Sequence, residues 1–235
     1  MTTLTPKTYK AYLTTEIMHF PPIRVMGLDL AAVNSGCCVI EARPLGEYPF
    51  IQVECLYEAA IQCRGDFVQK ASLARSLANR VHFGEEEVGL HLVAIEDYAR
   101  RVGGTNTTAY EHAELGGLAK TSIHYTGVPM LIVPPTSMRS FVGAAPRSGK
   151  DVMMDKAKEI WDFTASSTRK PERSNICDAF IHAVIGTLVI LAKFDILEAG
   201  QLQPHEDRII FGAGSIVGLI DREGIMYNED RLRIY

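Results

Sequence analysis

The hydrophobic pattern of this chain changes its period in an order that few folds accommodate. Three short apolar segments come first, at residues 23–29, 37–41 and 50–57, and turn-forming residues at 34–36 and 46–49 separate them. Short apolar runs bounded by Asn, Gly, Ser and Pro are typical of strands. Because short connections join consecutive antiparallel strands, we expect these three segments to form a meander.

Helical and strand-like patterns alternate after this meander. Apolar residues recur at helical spacing in residues 66–81, and short apolar runs at 90–96 and 130–133 predict a fourth and a fifth strand. The remaining helices are predicted at residues 107–125, 136–141, 150–163 and 175–194. A strand that is reached through a helical crossover pairs in parallel with its neighbour. We therefore expect an α/β fold with a mixed sheet of about five strands that is flanked by helices.

The 235 residues, of which 47% are hydrophobic, suffice for one ordinary core. We expect a single domain over residues 23–198, with an N-terminal arm at 1–22 and a C-terminal extension at 199–235. The extension contains short strand-like pieces and is expected to pack on the domain or on a partner. These pieces are residues 208–211, 216–220 and 231–235.

Patterns typical of export or of a membrane span are not evident. Residues 1–22 lack the continuous apolar stretch of a signal peptide, and the longest apolar run, at 179–194, is short for a bilayer span. The five cysteines show no CxxC spacing, which favours reduced thiols over a zinc site. We therefore expect a cytoplasmic protein without a membrane partner, in the host cytoplasm if a phage encodes it.

Charge is distributed unevenly along the chain. The formal net charge is −4, but residues 139–173 contain eight basic and five acidic side chains, a net +3 against −7 for the remainder. Such a segment permits contact with nucleic-acid phosphates. A solvated helix face gives the same pattern, so charge alone leaves both interpretations open.

Three acidic residues occupy the boundaries of predicted core elements. Asp29 and Glu96 each end an apolar strand, and Asp178 lies at the polar edge of the last apolar helix. A carboxylate beside a buried strand end is costly unless it is paired or binds a metal. Each acid alone is also explained by a helix cap or an ion pair, but the three together favour a shared cleft.

A cluster of three carboxylates indicates a site for hard divalent cations. Carboxylate oxygens are the usual ligands of Mg²⁺ and Mn²⁺. Two such ions about 4 Å apart can activate a water molecule and stabilise the leaving oxygen in phosphodiester hydrolysis. The acids therefore predict a Mg²⁺-dependent nuclease in which Mn²⁺ can substitute.

Short acidic and basic motifs follow one another in four segments of the chain. They are residues 27–36 (GLDLAAVNSG), 93–96 (VAIE), 133–150 (from VPP through Arg139 to Lys150) and 174–179 (SNICDA). In this order they resemble the motifs of the RuvC-type Holliday-junction resolvases. The first, second and last segments resemble acidic motifs of that family, and the third resembles its DNA-binding stretch. The resemblance covers residues 23–195 and leaves both ends unexplained.

The resemblance implies an RNase H-like homodimer that binds four-way or otherwise branched DNA and cleaves it with paired nicks. By motif position, Asp29, Glu96 and Asp178 would be the catalytic metal ligands. Lys150 would stabilise phosphate charge as a catalytic residue, and Arg139 would contact the DNA backbone. The order of strands and helices predicted above is also that of the RNase H-like fold.

The chain departs from this family at two positions. The family usually has an acid or a histidine as a fourth metal ligand where this chain has Asn175. An amide oxygen also coordinates Mg²⁺, so Asn175 belongs to the predicted ligand set, with weaker binding at one metal position. Ala99 stands near where relatives present an aromatic residue to the junction, and the neighbouring Tyr98 is expected to take that role.

Further candidates lie around these motifs. A basic loop directly follows Glu96, although an ordinary exposed loop explains it nearly as well. His182, one helical turn after Asp178, either approaches the metal site or lies in the core, and the core is favoured. The predicted DNA-binding residues are Tyr98, Arg100, Arg101, Arg139, Arg147, Lys150 and Lys156.

Three other functions remain open from the sequence. A nuclease acting on RNA–DNA hybrids would use the same carboxylates on a different substrate. A catalytically idle DNA-binding protein follows if Asn175 abolishes metal binding. A sugar-kinase-like ATPase is suggested by an acid followed by small residues and Asn-Ser-Gly, but it requires a second phosphate loop and a second lobe, for which this chain is too short.

Overall fold

The computed structural model describes residues 21–31, 33–45, 49–62, 67–81, 89–97, 106–145, 148–213, 216–217, 219 and 226–227. The strands are β1 (Ile23–Asp29), β2 (Asn34–Pro44), β3 (Ile51–Gln62), β4 (Leu92–Glu96), β5 (Met130–Val133), β6 (Gly212–Ala213), β7 (Ile216–Val217) and β8 (Met226–Tyr227). The helices are α1 (Phe67–Val81), α2 (Asn106–His124), α3 (Pro135–Phe141), α4 (Lys150–Trp161), α5 (Lys170–Lys193) and α6 (Pro204–Ile210).

One mixed sheet, in the order β3-β2-β1-β4-β5-β8, forms the centre of the fold. β1, β2 and β3 form the predicted antiparallel meander, and β4 and β5 extend it in parallel through helical connections. β8 adds two residues antiparallel to β5, while β6 and β7 pair separately. The predicted mixed sheet of about five strands is confirmed, and β8 extends it at one edge.

The strand register places two acids side by side on one face of this sheet. β1 and β4 are parallel neighbours, and Asp29 and Glu96 are their last residues, directly after a paired position on each strand. Side chains alternate between the two faces of a strand. Val25 lies on the same face of β1 as Asp29, and Ala94 lies on the same face of β4 as Glu96. Both belong to the core beneath α5. Both acids therefore point to the face that α5 covers.

Helix α5 lies across this face and forms the middle of the core. Every residue from Ser174 to Ala192 is buried, as expected for a helix with apolar residues all round. By length and composition α5 is the one helix among the described residues that could span a membrane, but its apolar window is entirely buried in the fold. It begins at Lys170, before the predicted start, because Pro171 in the first turn favours initiation there.

The opposite face of the sheet is covered by α1 and α2, which also pack against each other. Met26 and Leu28 of β1 point to this side, where Ile123 of α2 is buried and Leu73 of α1 packs against the cluster. The chain thus forms three layers, with helices on both faces of the sheet.

The described part of the C-terminal extension packs on the domain. Ile209, Ile210 and Leu219 join the main core. The prediction of a strand-like segment at 208–211 is wrong, because residues 208–210 belong to α6 and Phe211 is its C-cap. A reciprocal capping box between Gln203 and Glu206, with proline in the first turn, starts a helix that apolar content alone did not indicate. Residues 231–235 lie outside the described residues.

Candidate active site

The carboxyl groups of Asp29 and Glu96 are in contact where β1 and β4 end. Asp29 is 6% exposed and shares a hydrogen bond with the half-buried Glu96. Burial raises the pKa of Asp29 well above its usual range, and the charge of Glu96 and the hydrogen bond raise it further. Burial also raises the pKa of Glu96, which that hydrogen bond partly offsets. The two carboxyl groups therefore share a proton in this hydrogen bond, because two ionised carboxylates have only acceptors.

Asp178 approaches this pair from α5. Its side chain is almost completely buried, and its Oδ1 has no hydrogen-bond partner among the described residues. Burial, followed by the charge of Asp29, raises the pKa of Asp178 to about 7, although Lys150 acts in the opposite direction. The charge of Asp178 in turn raises the pKa of Glu96. The three predicted acids therefore form one electrostatically coupled cluster.

Two glycines allow α5 to approach the sheet closely enough to form this cluster. A Cβ atom on Gly27 would overlap the carbonyl oxygen of Ala179, and a Cβ on Gly36 would overlap that of Asn175. Glycine is the residue that permits such close approach of two backbones. Because Gly27 lies two residues before Asp29, and Ala179 directly follows Asp178, this contact brings the two acids together.

Lys150 and Asn175 adjoin the carboxylates. Lys150 is the first residue of α4, and its Nζ donates to Asn175 Oδ1 at 2.8 Å. The same Nζ lies 3.3 Å from Asp178 Oδ2. Asn175 Nδ2 donates to the backbone carbonyl of Asn34 at 2.6 Å, which ties α5 to the beginning of β2.

Arg139 contributes a second positive charge from α3. Its charge lowers the pKa of both Glu96 and Asp178, which places it near the acids. The sequence-predicted residues that the fold brings together are thus Asp29, Glu96, Asp178, Asn175, Lys150 and Arg139.

The donor set of this cluster suits a hard divalent cation. Three carboxylates with raised pKa repel one another at a buried site, and Asp178 Oδ1 is an open acceptor there. A bound cation relieves this repulsion and favours the ionised form of each acid. As the side chains stand, no group of three or more acidic, His or Cys residues that could hold a metal ion is found within the described ranges. Opening of the Asp29–Glu96 hydrogen bond would free further oxygens as ligands.

Several predicted DNA-binding residues lie elsewhere or outside the described residues. Lys156 pairs with Glu159 at 2.7 Å. Burial, followed by the charge of Lys156, lowers the pKa of His205 on α6, which places Lys156 near that helix. The predicted contacts that fall outside the described residues are Tyr98, Arg100, Arg101 and Arg147.

His182 lies in the core, the alternative that the sequence favoured. Its side chain is fully buried, and neither ring nitrogen has a hydrogen-bond partner among the described residues. Burial lowers the pKa of His182 to about 3, so its imidazole is neutral near pH 7.

Sequence reasoning missed the parts of the site that hold the predicted residues in place. The sequence predicts Asn34 and Ser35 as turn residues, yet both belong to β2. The carbonyl of Asn34 fixes Asn175, and Ser35 Oγ accepts from the amide of Ala31 at 3.1 Å. Asp151 and Lys170 form an ion pair of 2.8 Å that joins the beginnings of α4 and α5. The one available signal was the Asn-Ser-Gly sequence itself, because Asn and Ser commonly bond to nearby backbone in turns.

The fold has counterparts among solved structures. The structure of Thermus thermophilus RuvC matches with a TM-score of 0.57 and 15% identity, over 74% of this chain and 98% of that chain. T. thermophilus RuvC in complex with Holliday junction substrate matches with a TM-score of 0.55, at the same identity and coverage. The yeast mitochondrial Holliday junction resolvase Ydc2 matches at 0.49, with 17% identity over 74% of this chain and 82% of that chain. No protein-family model matches the chain, and no curated protein matches it. The two Thermus structures show that this chain has the RNase H-like fold of RuvC.

Proposed function

We propose that this chain is a metal-dependent endonuclease that cleaves four-way junctions and other branched DNA. The observation that carries the proposal is the convergence of Asp29, Glu96 and Asp178 at one end of the sheet. The fold supports it, because T. thermophilus RuvC has been solved in complex with Holliday junction substrate. Buried acids that repel one another lower stability, so their presence in one cluster favours a function over a structural role.

Mg²⁺ is the proposed cofactor, with Mn²⁺ as a substitute, and the three carboxylates are its proposed ligands. A divalent ion bound there would act as a Lewis acid that lowers the pKa of an attacking water and neutralises the leaving oxygen. The proton shared by Asp29 and Glu96 must be released before both acids can act as ligands, so the cluster is expected to bind cations more tightly as the pH rises.

Lys150 and Arg139 are proposed to act on the phosphate. The Lys150 side chain is 52% exposed while its ammonium faces Asp178, so the same group is accessible to a substrate and adjacent to the carboxylates. Two positive charges beside the acids offset the repulsion that a DNA phosphate would otherwise meet.

We further propose that two copies of the chain act together and make paired nicks. The described residues of one chain contain one such carboxylate cluster, and paired nicks require two. A dimer with two-fold symmetry presents two identical sites, which suits a four-way junction with matching symmetry.

The proposal is tested with synthetic substrates that share one sequence. The protein is incubated with a four-way junction, a flap, a linear duplex and an RNA–DNA hybrid, each with Mg²⁺, Mn²⁺ or EDTA. We expect nicks in two strands of the junction with either metal, little cleavage of the linear duplex and none in EDTA. Preferential cleavage of the hybrid would assign the same chemistry to a different substrate, and inactivity on all four would contradict a nuclease.

A further inference from the structure

The amide group of Asn175 is held on both sides. Its Nδ2 donates to the carbonyl of Asn34 at 2.6 Å, and its Oδ1 accepts from Lys150 Nζ at 2.8 Å. A backbone carbonyl only accepts hydrogen bonds, and a lysine ammonium only donates them. The orientation of the amide is therefore determined by its two partners, and its oxygen faces the ammonium.

The backbone around Asn175 is equally constrained. The side chain is buried on α5, and Gly36 of β2 lies directly against the backbone carbonyl of the same residue. Lys150, in contrast, has a long side chain that is half exposed and loses rotamer freedom when it is fixed. A rigid acceptor 2.8 Å from Nζ thus selects the conformer in which the ammonium also lies 3.3 Å from Asp178 Oδ2.

We propose that Asn175 is a positioning residue for Lys150 and not a metal ligand, and that each chain binds one divalent ion. This inference rests on the proposed nuclease function. The Asn175 oxygen is engaged by Lys150, and one oxygen of Asp178 faces the same ammonium. The Lys150 charge thereby takes the place of a second divalent cation on this side of the cluster.

The residue type at position 175 fits this role. An aspartate would offer no donor to the carbonyl of Asn34, so one of the two fixing bonds would be lost. It would also add a fourth negative charge to a buried cluster that already raises the pKa of its members. Asparagine keeps both bonds without that charge, whereas an aspartate is the stronger ligand for a second ion.

Ion stoichiometry on the protein without DNA is the primary test. Calorimetric titration of the full-length chain with MnCl₂ is expected to give one ion per chain in the wild type and in Asn175→Ala. Asn175→Asp is expected to bind a second ion. Two ions in the wild type, with the second lost in Asn175→Ala, would overturn the inference. Because the wild-type measurement needs no variant, it remains decisive if Asn175→Ala does not fold.

The position of Lys150 is measured separately by its rate of acetylation, followed by mass spectrometry. Asn175→Ala should raise the rate at Lys150 several-fold, because the ammonium loses its fixed acceptor. Lys158 is exposed on the same helix and serves as the internal reference, whose rate should not change. An unchanged rate at Lys150 in the variant would contradict the positioning role.

Kinetics separate positioning from a general structural defect. Asn175→Ala and Lys150→Met should each lower kcat for junction cleavage and leave KM nearly unchanged. The double variant should be no slower than Lys150→Met, since both substitutions remove the same interaction. If the double variant instead lost the kcat contributions of both single substitutions, the inference would be overturned. Absence of both Mn²⁺ binding and cleavage in the wild type would instead contradict the proposed function.

Discussion

Gly27 of β1 lies against the backbone carbonyl of Ala179 of α5, and the contact leaves no room for a side chain. The two segments carry Asp29 and Asp178, so the separation of these acids depends on this glycine. We predict that Gly27→Ala lowers the free energy of unfolding by about 3 kcal/mol or more, at the upper end of the range for overpacked cores. Urea unfolding at pH 7 in EDTA measures the change.

Gly117→Ala is the matched control for this prediction. Gly117 lies in α2, and a Cβ atom there would meet nothing within 4 Å. Alanine is favoured over glycine within helices, so this variant should be more stable by about 0.5–1 kcal/mol. An equal change in the free energy of unfolding in Gly27→Ala and Gly117→Ala would show that α5 does not need close contact with β1.

Asp29→Asn is predicted to abolish cleavage while it leaves junction binding intact. The amide removes a charge from the proposed metal-binding cluster but keeps the shape of the side chain. We expect kcat to fall by more than about 100-fold, since substitutions even in the outer shell of a metal site cost about 10–100-fold. Junction nicking with Mg²⁺ and gel-shift binding in Ca²⁺ or EDTA are the measurements.

Asp97→Asn is the control for the same strand end. Asp97 directly follows Glu96, but it pairs with Lys120 of α2, on the opposite side of the sheet, at 3.2 Å. Its charge therefore belongs to a surface ion pair, and cleavage should persist in this variant. Undiminished nicking by Asp29→Asn would remove that acid from the site.

The strand ends of the site were predictable from local patterns. β1 and β4 are nearly continuous apolar runs, so the acid that ends each of them is visible in the sequence. The alternation of side chains along a strand then gives the face to which each acid points. The pairing of Asn175 with Asn34 was not predictable, because it joins residues that are far apart in the chain and depends on the position of α5. The helix at α6 was missed for a different reason, since its capping box outweighs an apolar run that resembles a strand.

The contribution of Asp178 to the stability of the metal-free protein is predicted to fall as the pH rises from about 4 to about 7. The pKa of Asp178 is raised from 3.8 to about 7, so the folded state binds this proton more tightly than the unfolded chain does. Stability from this group is therefore greatest below the unfolded pKa and is lost towards the folded pKa. The loss is on the order of 4 kcal/mol at most.

Asp178→Asn isolates this effect because the variant cannot ionise at that position. The difference in unfolding free energy between variant and wild type, measured in EDTA, should grow from pH 4 to pH 7 and then level off. Mg²⁺ should stabilise the wild type more at pH 8 than at pH 5, because the ion competes with protons for the carboxylates. A difference that does not depend on pH would contradict the raised pKa of Asp178.

His182→Leu is predicted to stabilise the protein, and increasingly so in acid. The neutral imidazole is fully buried with both nitrogens unpartnered among the described residues, and an apolar side chain removes this desolvation cost of about 1–3 kcal/mol. The pKa of His182 is lowered from 6.5 to about 3, so below pH 6.5 the unfolded chain binds a proton at this residue while the folded state does not. The contribution of His182 to wild-type stability therefore falls as the pH drops below 6.5, in the direction opposite to that of Asp178. Urea unfolding of both proteins between pH 4 and pH 8 in EDTA should show the stability difference widening below pH 6.5. Loss of stability in the variant at every pH would show instead that the imidazole forms a contact the fold requires.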